Sequence, residues 1–165
     1  MSVGEICNRE VIICLPDESV SDAIDLMRDQ HVGCVVVVQS SGRSPLPIGI
    51  LTDRDIVIRV LRDTADLTSI RVDEVMSHDL VTAYQDDDVI DTMQLMRDKG
   101  IRRVPVINSE GGLEGILAVD DLVELLAEQL TDLVRLCGRE IRRERAAGMD
   151  LALLEIRRTG ESAYR

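Results

Sequence analysis

Apolar residues fall along this chain in two alternating rhythms, and each rhythm occurs twice. Val20, Ala23, Ile24 and Met27 step by three and four, the spacing of one buried helical face, and Val89, Met93, Leu95 and Met96 mark a second such helix. Short apolar or β-branched runs predict strands at Val11 to Cys14, Cys34 to Gln39 and Ile48 to Leu51. Further strands are predicted at Leu80 to Ala83, Arg103 to Ile107 and Leu113 to Leu117. The later two runs of each set are nearly continuous, which indicates burial on both faces. A closing helix follows each set, from Asp53 to about Arg62 and from Val119 onward. Each unit therefore reads strand, helix, strand, strand, helix, after a short lead at Val3 to Cys7 or Val72 to Met76.

The two units are one module written twice. Residues 3 to 42 lie on residues 72 to 111 at a constant offset of 69 without a gap. Within Asp17 to Asp29 and Asp86 to Asp98 seven positions are identical, among them Asp17/Asp86, Leu26/Leu95 and Arg28/Arg97. The first copy then carries three extra residues in Arg43 to Pro47, and Gly49 to Asp55 meets Gly115 to Asp121 at an offset of 66. Register returns, so the insertion reads as a loop. The boundaries drawn from this are 1–65 and 66–130 for the copies and 131–165 for a helical C-terminal extension. Leu122, Leu126, Leu130, Leu133, Cys137 and Ile141 form a stripe that outlasts the module, a pattern suited to packing on a second copy of the chain. A short helix at Met149 to Ile156 is a further expectation.

Composition narrows the functional classes. The net charge of −12 argues against general nucleic-acid binding, which needs excess Lys and Arg to neutralise phosphates. Charge is uneven: from Arg135 to Arg165 eight Arg face five acidic residues, which leaves the rest of the chain at −15. The Arg139, Arg142, Arg143 and Arg145 cluster, interleaved with Glu140 and Glu144, reads as a solvated face. The longest apolar run, Val32 to Val38, is too short to cross a bilayer, so a cytoplasmic protein without membrane contact is expected. Cys7, Cys14, Cys34 and Cys137 make no CxxC pair and sit in apolar segments, so buried thiols are expected rather than zinc or disulfides. His31 and His78 read as solvated or capping residues at a helix end and a turn. Asp17 to Ser19 and Asp86 to Asp88 read as helix caps rather than metal ligands.

The chemistry that stands out is Thr52-Asp-Arg-Asp55 at a strand-to-helix junction. One reading is a capping box, in which Thr52 caps backbone N–H groups and Asp55 reaches back to the cap. The other uses the same geometry for a ligand: a helix start attracts phosphate, a hydroxyl can donate to it, and a carboxylate can accept from two ribose hydroxyls.

The duplicated unit, the Arg102-Arg-Val-Pro-Val106 strand and the Gly49-x-x-Thr52-x-x-Asp55 spacing together resemble the cystathionine-beta-synthase (CBS) domain, and two copies in series resemble a Bateman module. The resemblance covers residues 1 to about 130. It implies an α+β fold of two β-α-β-β-α repeats packed about a pseudo-twofold axis, with two clefts that hold adenosine-containing ligands, and a homodimer. In the first cleft it implies Asp55 on the ribose, Thr52 on phosphate or ribose oxygen, Arg102 and Arg103 on the phosphates, and Ile50, Leu80 and Val81 around the adenine. In the second, Asp121 is kept with Ile116, Val11 and Ile12 as an adenine slot, but Ala118 replaces the threonine and Gly33-Cys34 the arginine pair. The expectation is that the first cleft binds a phosphorylated adenosine and the second is weak or empty.

The function implied is a regulatory sensor that binds AMP, ADP or ATP, with S-adenosylmethionine or NAD as further candidates, and relays a shift to an unidentified effector protein. The competing reading is a constitutive interaction and dimerisation module with vestigial clefts. An enzyme is disfavoured because no acid-base, nucleophilic or metal constellation is legible, and a DNA-binding regulator because no helix-turn-helix remains.

Overall fold

The computed structural model describes residues 1–40, 44–60, 66–137 and 139. Met1–Asp121 form one compact unit and Leu122–Arg165 a second. In the first unit the elements are α1 (Val3–Ile6), β1 (Ile13–Cys14), α2 (Val20–Asp29), β2 (Cys34–Gln39), β3 (Leu46–Thr52) and α3 (Asp53–Asp55). The second copy follows as α4 (Val72–Val75), β4 (Ala83–Tyr84), α5 (Val89–Lys99), β5 (Arg103–Ile107) and β6 (Leu113–Ala118). Each copy owns a three-stranded sheet, ordered β1-β2-β3 and β4-β5-β6. The first pair in each is parallel, joined across a helix, and the second pair is an antiparallel hairpin.

Local chemistry accounts for the helix starts. Ser19 Oγ accepts from the Asp22 amide at 3.1 Å while Asp22 accepts from the Ser19 amide, a complete capping box. Asp88 Oδ1 accepts from the Ile90 amide at 2.8 Å. Val35, Val36 and Val37 of β2 and Val104 and Val106 of β5 are fully buried, as the unbroken apolar runs require.

Several boundaries differ from the sequence expectation. The first strands are the shorter pairs Ile13–Cys14 and Ala83–Tyr84, and Val11 and Ile12, which precede the first, line a cavity. The insertion is only partly a loop: Leu46 and Pro47 pair with Gln39 and Val38, and Pro45 accepts the Leu113 amide of the other copy at 2.8 Å. The closing helix of the first copy is α-helical only over Asp53–Asp55 and continues as a π-helical turn, Ile56–Val60. Within this turn Arg59 donates to the carbonyls of Val75 at 2.8 Å and Met76 at 3.3 Å. Residues 61 and 62 of that expected helix lie outside the described residues.

The copies exchange their leads. Asn8 pairs with Ile116 of the second copy at 2.9 and 2.8 Å, and Ser77 pairs with Ile50 of the first at 2.9 and 3.3 Å. Likewise Val3 donates to the Asp87 carbonyl and Val72 to the Glu18 carbonyl, both at 2.9 Å. These bonds repeat at the offsets of the sequence, so each lead caps the opposite copy's helix start and sheet edge. The packing agrees: Val72, Val75 and Met76 belong to the same buried cluster as Val35, Val37 and Leu51.

Two thiols depart from the expected burial. Cys14 and Cys34 are buried, whereas Cys7 is half-buried and Cys137 exposed, since Cys137 sits on a helix face that the unit leaves open. Burial pushes the Cys14 thiol up to about 12, with Glu18 adding to it, so it stays protonated and inert. In the second unit, residues 122–137 continue a helix (α6) that begins at residue 119. Leu126, Leu130, Leu133 and Val134 on it are 52–64% exposed. Ile141, Arg142, Arg143, Arg145 and the expected helix at Met149 to Ile156 lie outside the described residues.

Candidate functional site

Where β3 ends, the capping box is realised in full. Thr52 Oγ1 donates to Asp55 Oδ2 at 2.6 Å and accepts from the Asp55 amide at 3.2 Å, and the Thr52 amide donates to Oδ2 at 3.1 Å. The single hydroxyl proton of Thr52 is thereby committed. Asp55 Oδ1 stands 3.7 Å from Arg59 Nε, the cation within 4.0 Å of it among the described residues. Ile50 is fixed beside this box by its backbone pairing with Ser77, and Leu80 and Val81 follow Ser77 as half-buried residues leading into β4. Arg102 is 76% exposed and stands 3.9 Å from Asp120 rather than beside Asp55.

The pseudo-equivalent junction at β6 is freer. Asp121 Oδ2 accepts the Ala118 amide at 2.7 Å, repeating the back-bond of Asp55, but Ala118 supplies no hydroxyl. Among the described residues Asp121 Oδ1 has no hydrogen-bond partner, which leaves it able to accept from a ligand. Asp121 lines a cavity of about 220 Å³ between the copies. Val11, Ile12 and Ile116 also line it. Cys34 also lines it, its thiol raised chiefly by burial, with Arg103 pulling the other way and Asp53 adding to the rise.

Arg103 lines this same cavity. The sequence offered only Gly33 and Cys34 here, so this cleft was expected to lack a cation. Arg103 occupies it because it opens β5 at the position equivalent to Cys34 in β2, so the two residues meet where the copies face one another. The arrangement is an acid, a guanidinium and an apolar slot, which suits a ligand with hydroxyls, an anionic group and a flat apolar body.

Glu10 and His31 also line the cavity, and neither was singled out for it from the sequence. A signal for His31 existed: at the repeat offset of 69 it falls on Gly100, a glycine just beyond a helix end. His78, in the exposed segment after Ser77, remains as expected, a residue of a turn-like stretch.

Comparison with known proteins gives the family. The CBS domain model matches residues 3–62 and again residues 72–128. An uncharacterized protein of Methanopyrus kandleri is 35% identical over 125 residues, 76% of this chain and 62% of that protein, so the chain spans under two thirds of that relative. A CBS domain-containing protein of Bacillus subtilis is 34% identical over 121 residues, 73% of this chain and 82% of its own length. The solved cytosolic domain of the Mg2+ channel MgtE in complex with ATP is 26% identical with a TM-score of 0.64, over 75% of this chain and 48% of that one. With two matched copies, exchanged leads and a cleft between them, this chain belongs to the CBS domain family as a tandem pair.

Proposed function

We propose that the chain is a non-catalytic regulatory module that binds an adenosine-containing ligand between its two copies and passes the resulting shift to a partner. The observation that carries this reading is the meeting of Asp121 and Arg103 in one cavity with Val11, Ile12 and Ile116 as walls. Asp121 would accept from ribose hydroxyls through its free oxygen, Arg103 would hold a phosphate, and the aliphatic walls would enclose the adenine. The MgtE domain, a structural neighbour, holds ATP, which supports AMP, ADP or ATP as the first ligands to try. The cleft of Thr52, Asp55, Ile50, Leu80 and Val81 serves as the second site, entered at the cost of reopening the Thr52–Asp55 box.

A thermal-unfolding panel of AMP, ADP, ATP, S-adenosylmethionine and NAD tests the reading. A true ligand at about 100 times its dissociation constant should stabilise the protein by about 2.7 kcal/mol. Asp121→Ala should abolish the response and Asp55→Ala should leave it. A flat response to every compound would return the chain to the constitutive interaction module.

The relay needs a second surface. The exposed face of Leu126, Leu130, Leu133 and Val134 on α6 supports a homodimer through that helix. Leu130→Glu should then shift the sedimenting species from dimer to monomer. A wild-type protein that sediments as a monomer at about 100 μM, far above the dissociation constants of stable dimers, counts against it.

A further inference from the structure

Among the described residues one non-glycine side chain is held at positive φ, His31 at 54°. It closes α2 in a Schellman motif: the His31 amide donates to the Arg28 carbonyl at 3.3 Å and the Val32 amide to Met27 at 3.0 Å. The second copy builds the same motif, with Gly100 at φ 66° donating to Arg97 at 3.1 Å and Ile101 to Met96 at 3.0 Å. The backbone task is thus identical, and glycine performs it without a steric penalty. Helix termination does not explain a histidine there. His31 lines the cavity that holds Asp121 and Arg103, and it is exposed, so its ring is open to a ligand. It also borders an outer groove beside Ile24 and Val57, so two surfaces compete for the ring.

Resting on the adenosine reading above, we propose that His31 is a ligand-contacting residue of the Asp121 cavity, where its imidazole donates to the phosphate of a bound nucleotide beside Arg103. The left-handed backbone that glycine adopts in the twin copy here carries a ring beside the cavity. The outer groove would instead employ it against a protein surface.

Binding of AMP and of adenosine is measured by calorimetry for the full chain, for His31→Gly and for His31→Asn. His31→Gly should melt no lower than wild type, because the strain is relieved, yet bind AMP about tenfold more weakly. Its affinity for adenosine should not change, which separates a phosphate contact from a general loosening of the cavity. His31→Asn, which tolerates the left-handed backbone and keeps a donor, should recover part of the AMP affinity. Wild-type binding of AMP with equal affinity in His31→Gly would overturn the role of His31 alone, as would a loss shared equally by adenosine or a lower melting temperature. Failure of wild type to bind either compound would overturn the adenosine reading and this inference together.

Discussion

Truncating Leu51 to alanine is expected to cost about 2–5 kcal/mol of unfolding free energy, read as a lower urea midpoint with an unchanged slope. Leu51 is fully buried and belongs to the cluster that joins Val35 and Val37 of the first copy to Val72 and Met76 of the second. The loss combines transfer of the missing methyl groups with the cavity left where the two copies meet, since neither sheet can move inward without breaking the exchanged leads. Leu117, equally buried and equivalent by the offset of 66, should cost a similar amount. Domains of this size are stable by only about 5–15 kcal/mol, so either change removes a large share of the total. A midpoint shift worth under about 1 kcal/mol would mean that the interface relaxes freely and the copies are not locked.

Gly115→Ala is expected to destabilise the protein by about 1–3 kcal/mol and to blunt the ligand response as well. A Cβ at Gly115 would lie 2.6 Å from Cys7 Sγ and 2.9 Å from the Asn8 carbonyl oxygen. The sulfur can turn aside, but the Asn8 carbonyl is committed to the Ile116 amide at 2.8 Å and cannot. The substitution therefore pries the lead from β6, next to Val11, Ile12 and Ile116, which wall the cavity. Gly49 is the twin position, where a Cβ would strike Met76 Sδ and approach the Ser77 carbonyl at 3.1 Å. Adding Cys7→Ala to Gly115→Ala should restore stability only in part, because the backbone clash persists. Full rescue would place the whole cost on the sulfur, and a neutral Gly115→Ala would deny the tight docking of the lead.

Arg103 also explains how the candidate site differs from what the residues promised. Motif logic assigned both arginines to the acid of the opposite copy, so Arg102 and Arg103 were grouped with Asp55. The structure sends Arg102 outward to Asp120 and puts Arg103 on the wall of the Asp121 cavity. Arg102 stands just before β5 and is exposed, whereas Arg103 opens the strand, so the two arginines do not share one set of contacts. The Thr52–Asp55 spacing was legible as a capping box or a ligand site, and in this structure the box is closed.

The short helices α1 and α4 of the leads were not legible in the residues, whereas the duplication, the order of the sheet strands with α2 and α5 between them, and the caps of those two helices were. These depend on contacts three or four residues apart or on the alternation of apolar positions, and both leave a trace in residue type. That the leads change places and that Arg103 shares a cavity with Asp121 came from the fold as a whole. The exchange rests on backbone hydrogen bonds between residues such as Asn8 and Ile116, far apart in the chain, and a backbone amide is the same whatever side chain it carries.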